Sequence, residues 1–275
     1  MRIGIVRAVE DLAATPRVIL HRGGWGPAPQ NTLQNFEDGI ASGADAIETD
    51  LQLTRDNVLV DDHGPEDGSR SFVRDLDYRD LPLLHGKPWP TFDAFLAITA
   101  GRVHVNAELK HTGLAPHVLS SLERVGVPLE HATFSSFNLQ ALTELRQLRP
   151  DARIGVLGSK MPGFNPGLWS IMHASRIGAD MVVASVLRAD GKYLQRASDA
   201  GLEVVTYTPW RTDDSSFLGD LLADPRIAGV IVNQRDVGVA TRDGLAGASR
   251  LTPGSRPGID TPWVSSPAHA ATGLE

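Results

Sequence analysis

The chain contains no cysteine. That excludes structural disulfides, zinc–thiolate sites and thiol nucleophiles. It fits a reducing compartment, and the expected location is cytoplasmic. Basic residues are in deficit, with 26 Lys and Arg against 33 Asp and Glu and a formal net charge of −7. General nucleic-acid binders carry a basic stripe, so no nucleic-acid partner is expected. A small anionic substrate stays compatible, because net charge says little about one pocket. No apolar run approaches the roughly 18 residues of a membrane span, and none is expected. The first residues, Met1 to Pro16, include Glu10 and Asp11 and lack the long apolar stretch of a secretory signal.

What is present is a regular alternation. The length of 275 residues, 41% of them hydrophobic, is enough for one large core, and a single β/α barrel takes roughly 250. From Arg17 to about Gly238, short apolar strands alternate with helical patterns. Eight strands are expected, at Val18–Leu20, Ala46–Leu53, Val103–Leu109, Ala132–Ser135, Arg153–Leu157, Met181–Ala184, Glu203–Tyr207 and Gly229–Val232. The order predicts parallel β/α units and a (β/α)8 TIM barrel over residues 17–243. Helices are legible at Leu33–Ile40 with Gly43 as a stop, from near Thr91, from Pro116 to Gly126, across Leu139–Leu148 before Pro150, and around Tyr193–Ala197. Ser42-Gly43-Ala44-Asp45 and Ile177-Gly178-Ala179-Asp180 echo one another as a reused helix-to-strand turn. A ninth strand, Val58–Asp62, is expected to form a hairpin with the second. Residues 64–90 lack periodicity and read as a short insertion. Residues 244–275, rich in Gly, Ser, Pro and Ala, are expected to be a disordered tail.

Two of the strands are acidic on one side. In Ala46–Leu53, Glu48, Asp50 and Gln52 share a face while Ile47, Leu51 and Leu53 share the other. In Val103–Lys110, His104, Asn106, Glu108 and Lys110 oppose Val103, Val105, Ala107 and Leu109. Such strands can converge Glu48, Asp50 and Glu108 on one point. A cluster of hard oxygen ligands of that kind suits Mg²⁺ or Ca²⁺, with Mn²⁺ equally allowed. Barrel active sites lie at the C-terminal strand ends, where His21, Asp50, Glu108 and Lys110 fall. Three irregular loops lie there too, Gly23–Asn31, Gly158–Ser170 and Pro209–Ser216. They carry Trp25, Trp169 and Trp210, which either line the mouth or pack against helices.

With these residues in view, the chain resembles the glycerophosphodiester phosphodiesterase family. The likeness rests on His21-Arg22-Gly23, Asn31-Thr32, Gly43-Ala44-Asp45, Glu48-Thr49-Asp50, Thr54-Arg55-Asp56, His63 and Glu108-Leu109-Lys110, in order and across nearly the whole barrel, with Ser135-Ser136-Phe137 on the next strand. The resemblance implies that Glu48, Asp50 and Glu108 hold one divalent cation. It implies that His21 and His63 serve as general base and general acid, and that Arg22 and Lys110 neutralise phosphate oxygens. The implied reaction converts a glycerophosphodiester-like small molecule to an alcohol and a phosphomonoester. Two alternatives stand beside it: a phospholipase D-like lyase releasing a cyclic phosphate, and a non-catalytic barrel that binds phosphodiesters. Oligomeric state is not indicated.

The sequence departs from the family pattern at four places. Gln30 replaces a glutamate, Gly64 replaces the aspartate after the second histidine, and Tyr207-Thr208-Pro209-Trp210 and Val232-Asn233 stand where Trp-Thr and Thr-Asp are usual. Asp61 or Asp62 is the substitute expected to orient His63. Plainer roles compete for several residues. Arg22 can pair with Asp45 or Asp50, and Lys110 with Glu48. Gly23, Gly24 and Gly26 read as a tight turn rather than a nucleotide loop. His104, His111, His117, His131 and His173 read as surface or internally satisfied side chains.

Overall fold

The structure, a computed structural model, describes residues 17–64, 71–84, 86–158, 166–208 and 215–249. Nine strands form one sheet: β1 (Arg17–Trp25), β2 (Ala46–Leu53), β3 (Leu59–Asp61), β4 (His104–Leu109), β5 (Ala132–Ser136), β6 (Arg153–Leu157), β7 (Met181–Ser185), β8 (Glu203–Tyr207) and β9 (Ile227–Gln234). Eight of them are parallel, and β1 pairs with both β2 and β9, so the sheet closes on itself. The helices are α1 (Leu33–Ala41), α2 (Phe92–Thr99), α3 (Ala115–Val125), α4 (Leu139–Leu148), α5 (Pro166–Ile177), α6 (Gly191–Asp199), α7 (Ser215–Ala223) and α8 (Arg235–Ser249). The fold is the expected (β/α)8 barrel. The remaining strand, β3, runs antiparallel to the end of β2, with Leu51 opposite Asp61 and Leu53 opposite Leu59, which is the expected hairpin.

The strand period sorts side chains into two cores. Val18, Leu20, Ile47, Leu51, Val105 and Leu109 face outward and meet the helices. Ile19, Ala46, Leu157, Met181, Val183, Val205 and Ile231 plug the barrel interior. Phe36 of α1 and Phe95 of α2 are fully buried and meet edge to face, with ring centroids 4.7 Å apart. Phe36→Ala is expected to cost about 3–5 kcal/mol in urea denaturation, because it removes a full aromatic from a packed site.

The echoed turns do the same work twice. Gly43 and Gly178 adopt left-handed backbone, φ 88° and 64°, which lets each helix stop abruptly. The aspartate two residues on then caps the neighbouring strand: Asp45 Oδ2 accepts from Val18 N–H and Asp180 Oδ2 from Ile154 N–H, both at 2.8 Å. Both aspartates also bind an arginine, Asp45 to Arg242 at 2.6 Å and Asp180 to Arg146 at 2.7 Å. Arg22 therefore does not need Asp45, which belongs to the opposite end of the barrel.

Two expectations are corrected in part, and the short insertion gains detail. The described residues of the 64–90 segment are folded, with 3₁₀ turns at Phe72–Asp75 and Tyr78–Asp80 and a small core of Val60, Val73, Leu81 and Trp89. Turns of three or four residues are too short to carry a helical or strand period, so the sequence shows no rhythm there. Helix α5 starts at Pro166, inside the stretch read as an irregular loop, and Trp169 packs on the helix side, its ring 4.4 Å from His173. Helix α8 continues through Gly244 to Ser249, past the expected start of the tail. Its Gly and Ala content hid it. Residues 1–16, 250–275 and Trp210 lie outside the described residues.

Candidate active site

Register brings the acidic side chains together. On adjacent parallel strands Glu48 lies opposite Asn106 and Asp50 opposite Glu108, so every second residue of β2 and β4 points into the barrel at matching heights. Oxygens of Glu48, Asp50 and Glu108 lie within 4.8 Å of one another. Glu48 and Asp50 are buried, and the Glu108 side chain is 12% exposed. Two cations are wedged against them. Arg22 Nε lies 3.1 Å from Asp50 Oδ2, and Lys110 Nζ lies 2.7 Å from Asp50 Oδ1 and 2.8 Å from Glu108 Oε1. Lys110 thus pairs with Asp50 and Glu108, not Glu48.

The electrostatics of this nest are asymmetric. Burial pushes the Asp50 carboxyl up, but Lys110 and Arg22 outweigh it and hold Asp50 ionised, below the usual carboxylate range. Burial acts against the Lys110 ammonium as well, and Asp50 and Glu108 overcome it and raise its pKa. Glu48 is raised well above the ordinary value, first by burial and then by Asp50 and Glu108. Glu108 is raised in the same sense, mainly by burial. Fully ionised, three carboxylates face two cations, leaving one uncompensated negative charge in a buried site. That surplus, on oxygen-only donors, fits a divalent cation.

Backbone geometry fixes the first strand end. Arg22 has φ 53°, a left-handed conformation that is strained for a residue with a Cβ. In that conformation its N–H donates to Glu48 Oε2 at 3.0 Å while its side chain reaches Asp50. Asn35 of α1, fully buried, donates to the carbonyls of Arg22 and Gly24, both at 2.9 Å, and its Oδ1 accepts from Arg235 Nη2 at 2.7 Å. Arg235 also donates to Gly23 O at 3.1 Å. The glycines form a tight turn, as expected. A Cβ on Gly23 would sit 2.6 Å from Asn35 Nδ2. Gln30 Nε2 donates to His21 O at 3.4 Å, which a glutamate could not do.

His21 Nδ1 lies 2.8 Å from Asn233 Oδ1 and Nε2 lies 4.0 Å from Glu48 Oε2. Burial, then Arg22, lowers its pKa to about 4, so the ring is neutral near pH 7. With Asn233 Oδ1 as the acceptor, Nδ1 carries the proton and Nε2 keeps a lone pair. His63 is close enough for its charge to weigh on both His21 and Asp50. The structure therefore brings all seven predicted site residues to one rim. His63 Nδ1 lies 3.2 Å from Gly64 O. Asp62 secures that turn: its carboxylate accepts from Gly64 N–H at 3.0 Å and from Gln52 Nε2 and Ser71 Oγ, both at 2.7 Å. Gly64 has φ 80°, so the family's aspartate gives way here to the residue best suited to left-handed backbone. Lower in the barrel, His104 Nε2 lies 2.9 Å from Thr133 Oγ1, a satisfied interior histidine.

Sequence reasoning did not assign roles to Asn35, Asn233 or Arg235. The one available signal for Asn35 is a polar residue beside Phe36 on the apolar stripe of α1.

A closed parallel barrel with carboxylates and cations gathered at its C-terminal rim is the frame of a barrel enzyme. A sequence profile of the Glycerophosphoryl diester phosphodiesterase family matches residues 21–236. YhdW of Bacillus subtilis, provisionally named a glycerophosphodiester phosphodiesterase, is 28% identical over 212 residues, covering 70% of this chain and 85% of YhdW. The glycerophosphodiester phosphodiesterase of Caldanaerobacter subterraneus is 29% identical over 160 residues, covering 51% of this chain and 65% of that protein. A crystal structure from Galdieria sulphuraria, provisionally given the same enzyme name, superposes with TM-score 0.69 at 26% identity, over 84% of this chain and 98% of that one. An Oleispira antarctica phosphodiesterase, solved with its product sn-glycerol-3-phosphate, shares the fold at TM-score 0.67 and 22% identity, over 83% and 97% of the two chains. The chain belongs to the glycerophosphoryl diester phosphodiesterase family. It is accordingly a phosphoric diester hydrolase by class. Among the described residues no helix is long and apolar enough to cross a membrane.

Proposed function

We propose that the chain is a metal-dependent glycerophosphodiester phosphodiesterase with Glu48, Asp50 and Glu108 as ligands of one divalent cation, Mg²⁺ or Ca²⁺. The observation that carries this reading is the buried convergence of those three carboxylates beside two histidines and two cations. A bound divalent cation supplies positive charge to the non-bridging phosphate oxygens and the developing charge on them. Arg22 and Lys110 add fixed donors to the same oxygens, and their burial strengthens the effect. His21, neutral and holding its Nε2 lone pair, takes a proton from the attacking hydroxyl. His63 gives a proton to the leaving alcohol oxygen as the P–O bond breaks. The attacking hydroxyl comes from water or from the substrate's own neighbouring carbon; the second route passes through a cyclic phosphate that water then opens. The products are an alcohol and a phosphomonoester of the glycerol 3-phosphate type. The small molecule is the only partner the reading requires.

The test is a panel of glycerophosphodiesters assayed with Mg²⁺, with Ca²⁺ and with chelator, the products followed by ³¹P NMR. Turnover that collapses in chelator and returns with added cation is the expected result. Undiminished turnover in chelator refutes the metal assignment. A cyclic phosphate that persists assigns the lyase outcome, and binding without turnover assigns the non-catalytic one.

A further inference from the structure

On the same rim, past the end of β7 and across the barrel from the strands of the acidic cluster, lies a pocket of opposite charge. The loop after β7 and the start of α6 face α5 across a cavity of about 270 Å³, just below the roughly 300 Å³ at which small-ligand pockets begin. Arg188, Lys192 and Arg196 line it, together with Asp190, Tyr193 and Leu168. The three cations recur at a spacing of four, so Lys192 and Arg196 project from one side of α6 with Arg188 ahead of them. All three are exposed. In a chain of net charge −7 this is a local reversal of sign. Asp190 is the one carboxylate among the described lining residues. It is committed to the backbone, accepting from Tyr193 N–H at 2.8 Å as the cap of α6. The floor is firm: Tyr193 Oη lies 3.2 Å from Ser170 Oγ, and both side chains are buried, which ties α6 to α5.

Tyr207, at the end of β8, lies opposite Ser185 of β7 and packs against the barrel's interior core. Val186 N–H, from the pocket's loop, donates to Tyr207 O at 3.1 Å. The Tyr207 phenol is raised chiefly by burial, and the charges of Arg188 and Glu108 both act on it in opposite senses. Tyr207 is thus a rim side chain on which the pocket's Arg188 and the cluster's Glu108 both act.

We infer that the substrate carries a second anionic group of the phosphate class beyond the scissile phosphodiester, and that Arg188, Lys192 and Arg196 receive it. The inference rests on the phosphodiesterase reading above and adds a substrate class to it. The charge count agrees. The rim site with a divalent cation holds one net positive charge, enough for one diester. The pocket holds three cations against one acid, which suits a dianion. Leu187 and Met172, 76% and 65% exposed, flank this region, so an anionic lipid surface is the competing occupant. The concave polar floor favours a discrete group.

The experiment compares kcat/KM for glycerophosphoinositol 4-phosphate and glycerophosphoinositol, which differ by one phosphate. The natural chain is expected to prefer the first by on the order of tenfold, the scale of a few exposed charge pairs expressed in transition-state binding. In Lys192→Gln/Arg196→Gln the ratio falls toward one. Arg176→Gln, an exposed arginine of α5 outside the pocket, retains it. Titration with inositol 4-phosphate, which has no diester to cleave, reads the pocket without catalysis. Equal binding by the natural chain and the double variant, or no preference between the two substrates, overturns the inference and leaves the phosphodiesterase reading standing. Pocket-dependent binding without any turnover overturns that reading alone. Sedimentation with phosphatidylglycerol vesicles that depends on Lys192 and Arg196, with no response to inositol 4-phosphate, assigns the cations to a lipid surface and overturns the inference.

Discussion

Asp50→Ala is expected to lower phosphodiester turnover by on the order of 10³-fold or more and to abolish measurable Mg²⁺ or Ca²⁺ binding. The magnitude follows from the position of this carboxylate. It lies beside both other proposed ligands and is the partner of both cations, at 3.1 Å from Arg22 and 2.7 Å from Lys110. Its removal leaves the cluster with two carboxylates against two buried cations, so the net charge that attracts a divalent ion disappears. The same change takes a counter-ion from both Arg22 and Lys110 in a buried site, leaving Lys110 its pair with Glu108. Removing one partner of a buried ion pair typically costs about 3–5 kcal/mol, so the melting temperature is expected to drop as well. Asp50→Asn separates the two effects, because it keeps the volume and one acceptor oxygen. It should recover part of the stability and none of the metal affinity. Calorimetric titration with Mg²⁺ alongside thermal melts makes the measurement. Wild-type metal affinity in either variant would remove Asp50 from the ligand set.

The barrel was legible because two periods are written plainly in the chain. Every-second-residue alternation in Ala46–Leu53 and Val103–Lys110 fixed both strands and the sides their acids occupy. The observed register, Asp50 opposite Glu108, then follows from closing parallel neighbours. Gly43 and Gly126 marked helix ends, and both adopt left-handed backbone. Helices α5 and α8 were not legible. Pro166 and Gly167 open the first inside a Gly- and Pro-rich stretch, and the second is built with Gly238, Gly244 and Gly247, which add nothing to an apolar stripe. The site was legible in its residues but not in its supports. Nothing local in the sequence says that Arg22 turns left-handed to give its N–H to Glu48, or that Asn35 and Arg235 hold that turn from positions 200 residues apart. Such contacts arise from closure of β1 against β9, a long-range event that leaves no periodic trace. The basic pocket between α5 and α6 escaped for the same reason. Arg188, Lys192 and Arg196 read singly as solvated charges, and only the folded barrel gathers them around one cavity.

His21→Ala is expected to lower kcat by about 10²–10⁴-fold, the range of a single general base, while divalent-cation affinity changes little. Geometry separates the two readouts. His21 Nε2 is 4.0 Å from Glu48 Oε2, and its Nδ1 is directed to Asn233, so the ring neighbours the carboxylates without serving as their counter-ion. Its low pKa makes it neutral, which means that its loss removes a lone pair and no charge. His63→Ala supplies the contrast. Both variants should be slow on a substrate with an alkyl alcohol leaving group. On a p-nitrophenyl phosphodiester the leaving oxygen needs no proton, so a general acid becomes dispensable and a general base does not. His63→Ala should then regain most of its activity while His21→Ala stays slow. Recovery of both variants on the activated substrate would deny His21 the base role, and recovery of His21→Ala alone would exchange the two assignments. Loss of metal affinity in His21→Ala would place the ring among the ligands instead.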